Sequence, residues 1–217
     1  LALQEKDYAR AEDGARALLQ RFPGSPLKAN ALGVLTSAAW EQRRYRTAVV
    51  IGGKAAAELP AGEMRAQFNV LVAEAWFRAG DFRTAADAYA AALREAPAGS
   101  AVGDLMFQRL LAEIETGRLD AAQTMLDQMA RDPAFTSELR WQAEWNLARA
   151  LQLHGETAAA YERVNRLLAE APAAGLSDEL RARMGWLQAR LSLDAGAPER
   201  TLALADALVA DGEKLPE

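Results

Sequence analysis

One stretch decides the fold: Asn69–Pro97, with the sequence NVLVAEAWFRAGDFRTAADAYAAALREAP. Apolar and small residues recur in it every three or four positions on both sides of the pair Gly80-Asp81. That spacing marks one face of an α-helix, so the stretch predicts two helices that meet at the glycine, a residue that readily takes the left-handed conformation ending a helix. Pro97 predicts the end of the second helix, because proline does not continue one.

The same pattern recurs along the chain with a period of 37 residues. An anchor residue opens each second helix at Tyr8, Tyr45, Phe82 and Leu119, and weaker units follow at Thr157 and Pro198. Alanine follows the first four anchors by three residues, at Ala11, Ala48, Ala85 and Ala122. Glycine precedes four anchors by two residues, at Gly80, Gly117, Gly155 and Gly196. Proline closes five units, at Pro23, Pro60, Pro97, Pro133 and Pro172. Such self-similarity indicates a chain of repeated helical hairpins.

These marks predict an all-α chain of five to six hairpins. We expect first helices at about 29–42, 66–79, 103–116, 139–153 and 178–194. Second helices follow at about 7–21, 45–58, 82–95, 119–130, 157–170 and 199–211. The small residue after each anchor lets the two helices of a hairpin approach closely, while the anchor fills the space between them.

The chain resembles the tetratricopeptide-repeat (TPR) family over essentially its whole length. The unit that matches the family pattern best carries Trp76, Gly80, Asp81, Phe82, Ala85, Tyr89, Ala92 and Pro97. The resemblance implies a single solenoid domain over residues 1–217, a right-handed α-α superhelix that binds partner proteins in its concave groove. The period departs from the family's usual ~34 residues. Because the first residue is Leu1, we expect that a targeting segment was removed or that the chain is a piece of a longer protein.

The composition argues against several other classes. A net charge of −5 predicts no nucleic-acid partner, and no apolar run approaches the ~18 residues of a membrane span. The chain has no cysteine and one histidine, His154, which we interpret as a helix cap. The sequence offers no zinc ligand set, no phosphate-binding loop and no base for a catalytic triad other than His154. We therefore expect that the chain is not an enzyme and that it binds neither a metal nor a cofactor.

The resemblance projects a partner-binding groove onto the first helices. Residues 15, 12, 8 and 5 positions before each anchor share one helical face from the second unit onward, and each such row contains one bulky aromatic side chain flanked by polar groups. Rigid rings beside amide and guanidinium groups are typical of peptide-binding surfaces. The expected groove residues are Asn30, Trp40, Glu74, Phe77, Phe107, Trp145, Arg149, Arg183, Trp186 and Arg190. Some of these rings are equally compatible with packing between helices.

The sequence is compatible with three functions. We favour a scaffold or adaptor that binds a protein or peptide in the groove. The alternatives are a structural spacer that self-associates through uncapped ends, and the regulatory arm of a larger protein. Residues Phe22–Pro26 resemble repeat junctions of envelope-associated bacterial TPR proteins, which favours the periplasm over the cytoplasm.

Overall fold

The computed structural model describes residues 2, 4–95, 101–170 and 177–212. Eleven helices follow one another in these residues: α1 (Tyr8–Arg21), α2 (Lys28–Glu41), α3 (Tyr45–Glu58), α4 (Glu63–Arg78), α5 (Phe82–Glu95), α6 (Val102–Glu115), α7 (Leu119–Met129), α8 (Ser137–Leu153), α9 (Thr157–Glu170), α10 (Asp178–Asp194) and α11 (Pro198–Gly212). The described residues contain no strand. The all-α prediction is confirmed, and every helix begins and ends within three residues of its expected bounds.

The glycines before the anchors end the first helices as predicted. Gly80, Gly117, Gly155 and Gly196 have φ between +74° and +83°, the left-handed region where a side chain is strained. After Gly80, the N–H of Asp81 donates to the carbonyl of Trp76 at 3.1 Å, and Glu156 and Leu151 are paired in the same way at 2.9 Å. These bonds satisfy carbonyls that a helix end would otherwise leave unpaired.

The alanines after the anchors lie in the core. Ala48, Ala85 and Ala122 are completely buried, which allows the helices of each hairpin to pack closely. The predicted prolines Pro23, Pro60 and Pro133 follow the ends of α1, α3 and α7. Two further prolines, Pro97 and Pro172, lie outside the described residues.

The chain divides into two compact units, Leu1–Ala112 and Glu113–Glu217. In the first unit each helix from α1 to α5 packs against the next, and in the second unit the same holds from α7 to α11. That these units form one domain stays a prediction.

A buried ion-pair cluster holds the second unit together. The guanidinium of Arg163 on α9 donates to both carboxylate oxygens of Glu144 on α8 at 2.9 Å, and to Asp127 on α7 at 2.9 Å. The side chains of Arg163 and Glu144 are each 7% exposed. Burial lowers the pKa of Arg163, but the hydrogen bonds and charges of Glu144 and then Asp127 outweigh it and raise the pKa overall. The cluster therefore stays charged and fixes α8 between its two neighbours.

Candidate partner-binding surface

In the first unit, two of the predicted groove rings pack inside their own hairpins. Trp40 on α2 lies edge-on to the anchor Tyr45, with 5.2 Å between ring centroids. Phe77 on α4 lies against the anchor Phe82 in the same way, at 5.1 Å. All four rings are partly buried. Such edge-to-face pairs stabilise the fold, and they use ring surface that a partner would otherwise contact.

A polar residue that the sequence predicted for the groove of the first unit is also engaged within the fold. Glu74 on α4 accepts a hydrogen bond of 2.6 Å from the hydroxyl of Tyr89, which is completely buried on α5. Burial raises the pKa of Tyr89, and the hydrogen bond and charge of Glu74 raise it further. Glu74, which the sequence predicted for the groove, is therefore a hydrogen-bond partner of the core.

The remaining predicted residues of the first unit differ in exposure. Phe107 on α6 is half-buried. Asn30 on α2 is exposed, but it lines a separate depression between α1 and α2. The structure therefore does not gather the first-unit residues into one open surface.

In the second unit, the predicted residues of α8 and α10 lie together. The two helices are the first helices of successive hairpins, and they contact each other directly. We call Trp145, Arg149, Arg183, Trp186 and Arg190 the α8–α10 surface. Trp145 is half-buried, Arg149 is exposed, and all three residues on α10 are exposed. Trp186 has 56% of its surface open to solvent.

A cleft of about 300 Å³ lies at one end of this surface. Trp145 and Arg183 line it, together with six residues that were not among the expected groove residues: Glu138, Gln142, Asn146, Ser177, Glu179 and Leu180. Ser177 caps α10 by accepting a hydrogen bond from the N–H of Leu180 at 3.3 Å. The cap motif is visible in the sequence, because serine followed by acidic residues is a typical helix start. That Ser177 lies beside α8 depends on the tertiary fold and is not visible in the sequence.

The charges of the α8–α10 surface are only partly paired. The guanidinium of Arg149 lies over the Trp145 ring, 4.8 Å from its centroid, and makes no ion pair within the described part of the chain. Arg183 pairs with Glu179 at 2.5 Å and Arg190 with Asp194 at 3.3 Å, each on its own helix; the first pair is largely exposed and the second is partly buried. An exposed pair such as Arg183–Glu179 contributes little stability, so a ligand carboxylate could take the place of Glu179 at small cost.

One contact links the two helices across this face. The amide of Gln152 on α8 donates to the carboxylate of Asp194 on α10 at 2.5 Å. This exposed hydrogen bond joins the C-terminal halves of the two helices. The rings and guanidiniums of the surface are thus presented from two helices held in register.

His154 takes the role expected of it. It is the C-terminal cap of α8, and its Nδ1 lies 2.9 Å from the carbonyl oxygen of Ala150. Among residues that the structure describes, no three His, Cys, Asp or Glu side chains are grouped as metal ligands would be. In the same residues, no helix combines the length and apolar character that crossing a bilayer requires.

Comparison with solved structures identifies the fold. BtubC from P. vanneervenii shares 19% identity with a TM-score of 0.60, covering 100% of this chain and 94% of the other. The nearly identical TPR-like repeats of a sequence-predicted kinesin light chain from Podosopora anserina share 18% with a TM-score of 0.61, covering 88% and 100%. A tetratricopeptide repeat protein from Parabacteroides merdae shares 15% with a TM-score of 0.51, covering 96% and 88%.

The fold is that of TPR-like helical repeats, as the sequence predicted. No protein-family model and no curated protein sequence matches the chain.

Proposed function

We propose that this chain is a protein-interaction module and that its α8–α10 surface binds a peptide segment of a partner protein. The observation that carries the proposal is the exposure of Trp186, 56% of whose surface is open to solvent on the face that also bears Trp145 and Arg149. Tryptophan and arginine are enriched among the residues that dominate binding energies at interfaces. The TPR-like fold supports the same class of function.

The chemistry of the surface favours a peptide that carries both an apolar and an acidic side chain. The open face of Trp186 and the exposed Leu193 on the same helix offer apolar contact. Arg149, which has no acidic partner in the residues described, offers a guanidinium to a carboxylate. Arg183 and Arg190 are already paired with Glu179 and Asp194, so Arg149 is the cation that favours an acidic side chain on the peptide.

Selection from a random peptide display library tests the proposal without knowledge of the partner. We expect the purified chain to enrich peptides that share an acidic residue near an aromatic or aliphatic one. The double variant Trp186→Ala, Arg149→Ala should weaken binding of these peptides at least tenfold, because truncating two central anchors removes on the order of 2 kcal/mol or more.

The matched control is Glu162→Ala, Arg166→Ala on α9. These two side chains form an exposed ion pair at 3.5 Å within the same unit, so the control also removes a large side chain and an arginine. It should bind the selected peptides like the wild type. Equal binding by all three proteins would assign the peptides to another surface, and a library without enrichment would contradict peptide binding altogether.

The bacterial envelope remains the expected location. The expectation rests on Phe22–Pro26, where Phe22 is 63% exposed between α1 and α2. Fractionation of cells that express the gene with its native upstream sequence tests it. Recovery with periplasmic markers is expected, and recovery with cytosolic markers would favour the cytoplasm.

A further inference from the structure

The cleft beside Trp145 indicates a further property of the peptide that the α8–α10 surface would bind. Its volume of about 300 Å³ is at the lower end of the range for pockets that hold small molecules, so it suits a single side chain. The two helices that form its walls, α8 and α10, each pack against α9 as well. The cleft therefore lies within the helical array, and neither of its walls is a terminal helix.

The charged groups of the cleft leave one carboxylate without a counterion. Three charged side chains line it: Glu138 on α8, and Glu179 and Arg183 on α10. Glu179 and Arg183 pair with each other, so their charges cancel. Glu138 forms no ion pair within the described part of the chain, and it accepts only a long hydrogen bond of 3.4 Å from the amide of Gln142. The remaining negative charge attracts a cation.

The helix starts at the cleft do not make it an anion site. Both α8 and α10 begin there, and the start of a helix attracts negative charge. That charge is already present, because Glu138 lies in the first turn of α8, and Asp178 and Glu179 lie in the first turn of α10. The side chains of Thr136 and Ser177 cap the two helices by accepting hydrogen bonds from backbone N–H groups.

The hydrogen-bonding groups of the cleft have the same preference as its charge. The amide nitrogen of Asn146 donates to the backbone carbonyl of Gln142 at 2.8 Å, and the amide nitrogen of Gln142 donates to Glu138. The guanidinium of Arg183 donates to Glu179. Because these donors are used within their own helices, the amide oxygens and the Glu138 carboxylate remain as acceptors. A lysine ammonium or an arginine guanidinium has only donors and matches this lining.

The walls of the cleft also suit the alkyl part of a basic side chain. Trp145 contributes a half-buried ring, and Leu180 contributes an apolar side chain that is 7% exposed. Lysine and arginine commonly bury their methylene stems along apolar surface while the charged end stays among polar groups. The cleft provides apolar surface for the stem and Glu138 for the charge.

We propose that the cleft binds a lysine or arginine side chain of the peptide, with Glu138 as its ion-pair partner. This inference rests on the proposed peptide binding by the α8–α10 surface and adds a second charged residue to the peptide. Arg149, which pairs with the acidic residue, lies seven residues after Gln142 on α8 and does not line the cleft. Seven residues of helix rise by about 10 Å, which an extended peptide covers in about three residues.

Sequencing the peptides selected from the display library is the first test. They should share a lysine or arginine at a constant distance of about three residues from the acidic residue. One selected peptide is then compared with its own variant in which methionine replaces the basic residue, which keeps an apolar stem and removes the charge. The wild-type protein should bind the methionine variant about fivefold more weakly, as expected for a partly exposed ion pair.

Glu138→Gln removes the same ion pair from the protein. The side chain is exposed, so a glutamine of equal size is compatible with the fold. This protein should bind the original peptide about fivefold more weakly than the wild type does. It should bind the methionine variant as the wild type does, because the ion pair is already absent there. The matched control is Glu162→Gln on α9, an exposed carboxylate that does not line the cleft, and it should bind both peptides like the wild type.

The possible outcomes separate this inference from the proposed function. Selected peptides without a basic residue, or with one at no constant distance from the acidic residue, would overturn the inference and leave peptide binding in place. A Glu138→Gln protein that distinguishes the two peptides as strongly as the wild type would do the same. A library without enrichment would overturn both proposals.

Discussion

The predicted groove rings stand at different positions in α2 and α4 of the first unit and in α8 and α10 of the second, and the difference decides what these rings do. In α2 and α4 the ring stands five residues before the anchor, at Trp40 and Phe77, and packs on an aromatic anchor. In α8 and α10 it stands twelve residues before the anchor, at Trp145 and Trp186, and the anchors are not aromatic. A ring beside an aromatic anchor packs within its hairpin. A ring two turns further from the anchor on the same helical face keeps more of its surface open, as Trp186 does with 56% exposed.

The largest expected effect on stability comes from the buried ion pair that holds α8 in place beneath its exposed face. Glu144→Ala should lower the free energy of unfolding by about 3–5 kcal/mol, because it leaves Arg163 buried without its main partner. Urea unfolding followed by circular dichroism measures the change. Glu144→Leu with Arg163→Met is the control and should recover most of the loss, since a well-packed apolar pair avoids burying charge. An Ala variant as stable as the wild type would contradict the structural role of the cluster.

The comparison itself is tested by removing one ring from each unit. Trp40→Ala should cost about 2–3 kcal/mol of unfolding free energy, since a partly buried ring packed on Tyr45 and the surrounding alanines is lost. Trp186→Ala should change stability by no more than about 0.5 kcal/mol, because the ring is mostly exposed. Chemical denaturation of both variants measures the difference. Equal losses would show that the two positions have the same role.

The sequence predicted the hairpins and their ends because those depend on local features. The glycine at each turn, the alanine after each anchor and the helical spacing of apolar residues act within one hairpin, so Gly80 and Ala85 could be interpreted without a structure. The roles of Trp40 and Phe77 depend on the side chain across the turn. An aromatic anchor five residues later was the available signal for that packing.

Other features could not be predicted because they join distant segments. Arg163 and Asp127 are 36 residues apart, and the cluster forms only when α7 and α9 flank α8. The cleft beside Trp145 likewise needs Ser177 from the start of α10. The repeat period predicts that such helices are neighbours, but it does not specify which polar side chains meet.

A smaller effect is expected from removing the hydrogen bond between Tyr89 in the core and Glu74 of the first unit. Tyr89→Phe should cost about 1 kcal/mol at neutral pH, because the hydrogen bond from the buried hydroxyl to Glu74 is lost. The pKa of Tyr89 is raised above its unfolded value of roughly 10. Its contribution is therefore complete below about pH 10 and falls by about 1.4 kcal/mol per pH unit above it.

The difference in unfolding free energy between wild type and Tyr89→Phe, measured from about pH 8 to 11, isolates this residue from other titrating groups. The difference should be constant at the lower end and shrink at the upper end. A difference that stays constant throughout would mean that Tyr89 ionises as easily in the folded chain as in the unfolded one.

The smallest effect is expected at Arg149, which occupies in α8 the repeat position that Glu74 occupies in α4. Its guanidinium lies on the Trp145 ring and forms no ion pair in the described residues, so Arg149→Ala should cost about 0.5 kcal/mol, as an exposed cation–π contact does. Denaturation at low and high salt measures the cost. A loss of 2 kcal/mol or more would make Arg149 part of the fold, as Glu74 is. A small loss of stability combined with strongly reduced peptide binding would show that this repeat position has different roles in the two units. In the first unit the residue stabilises the core, and in the second it is available to bind a partner.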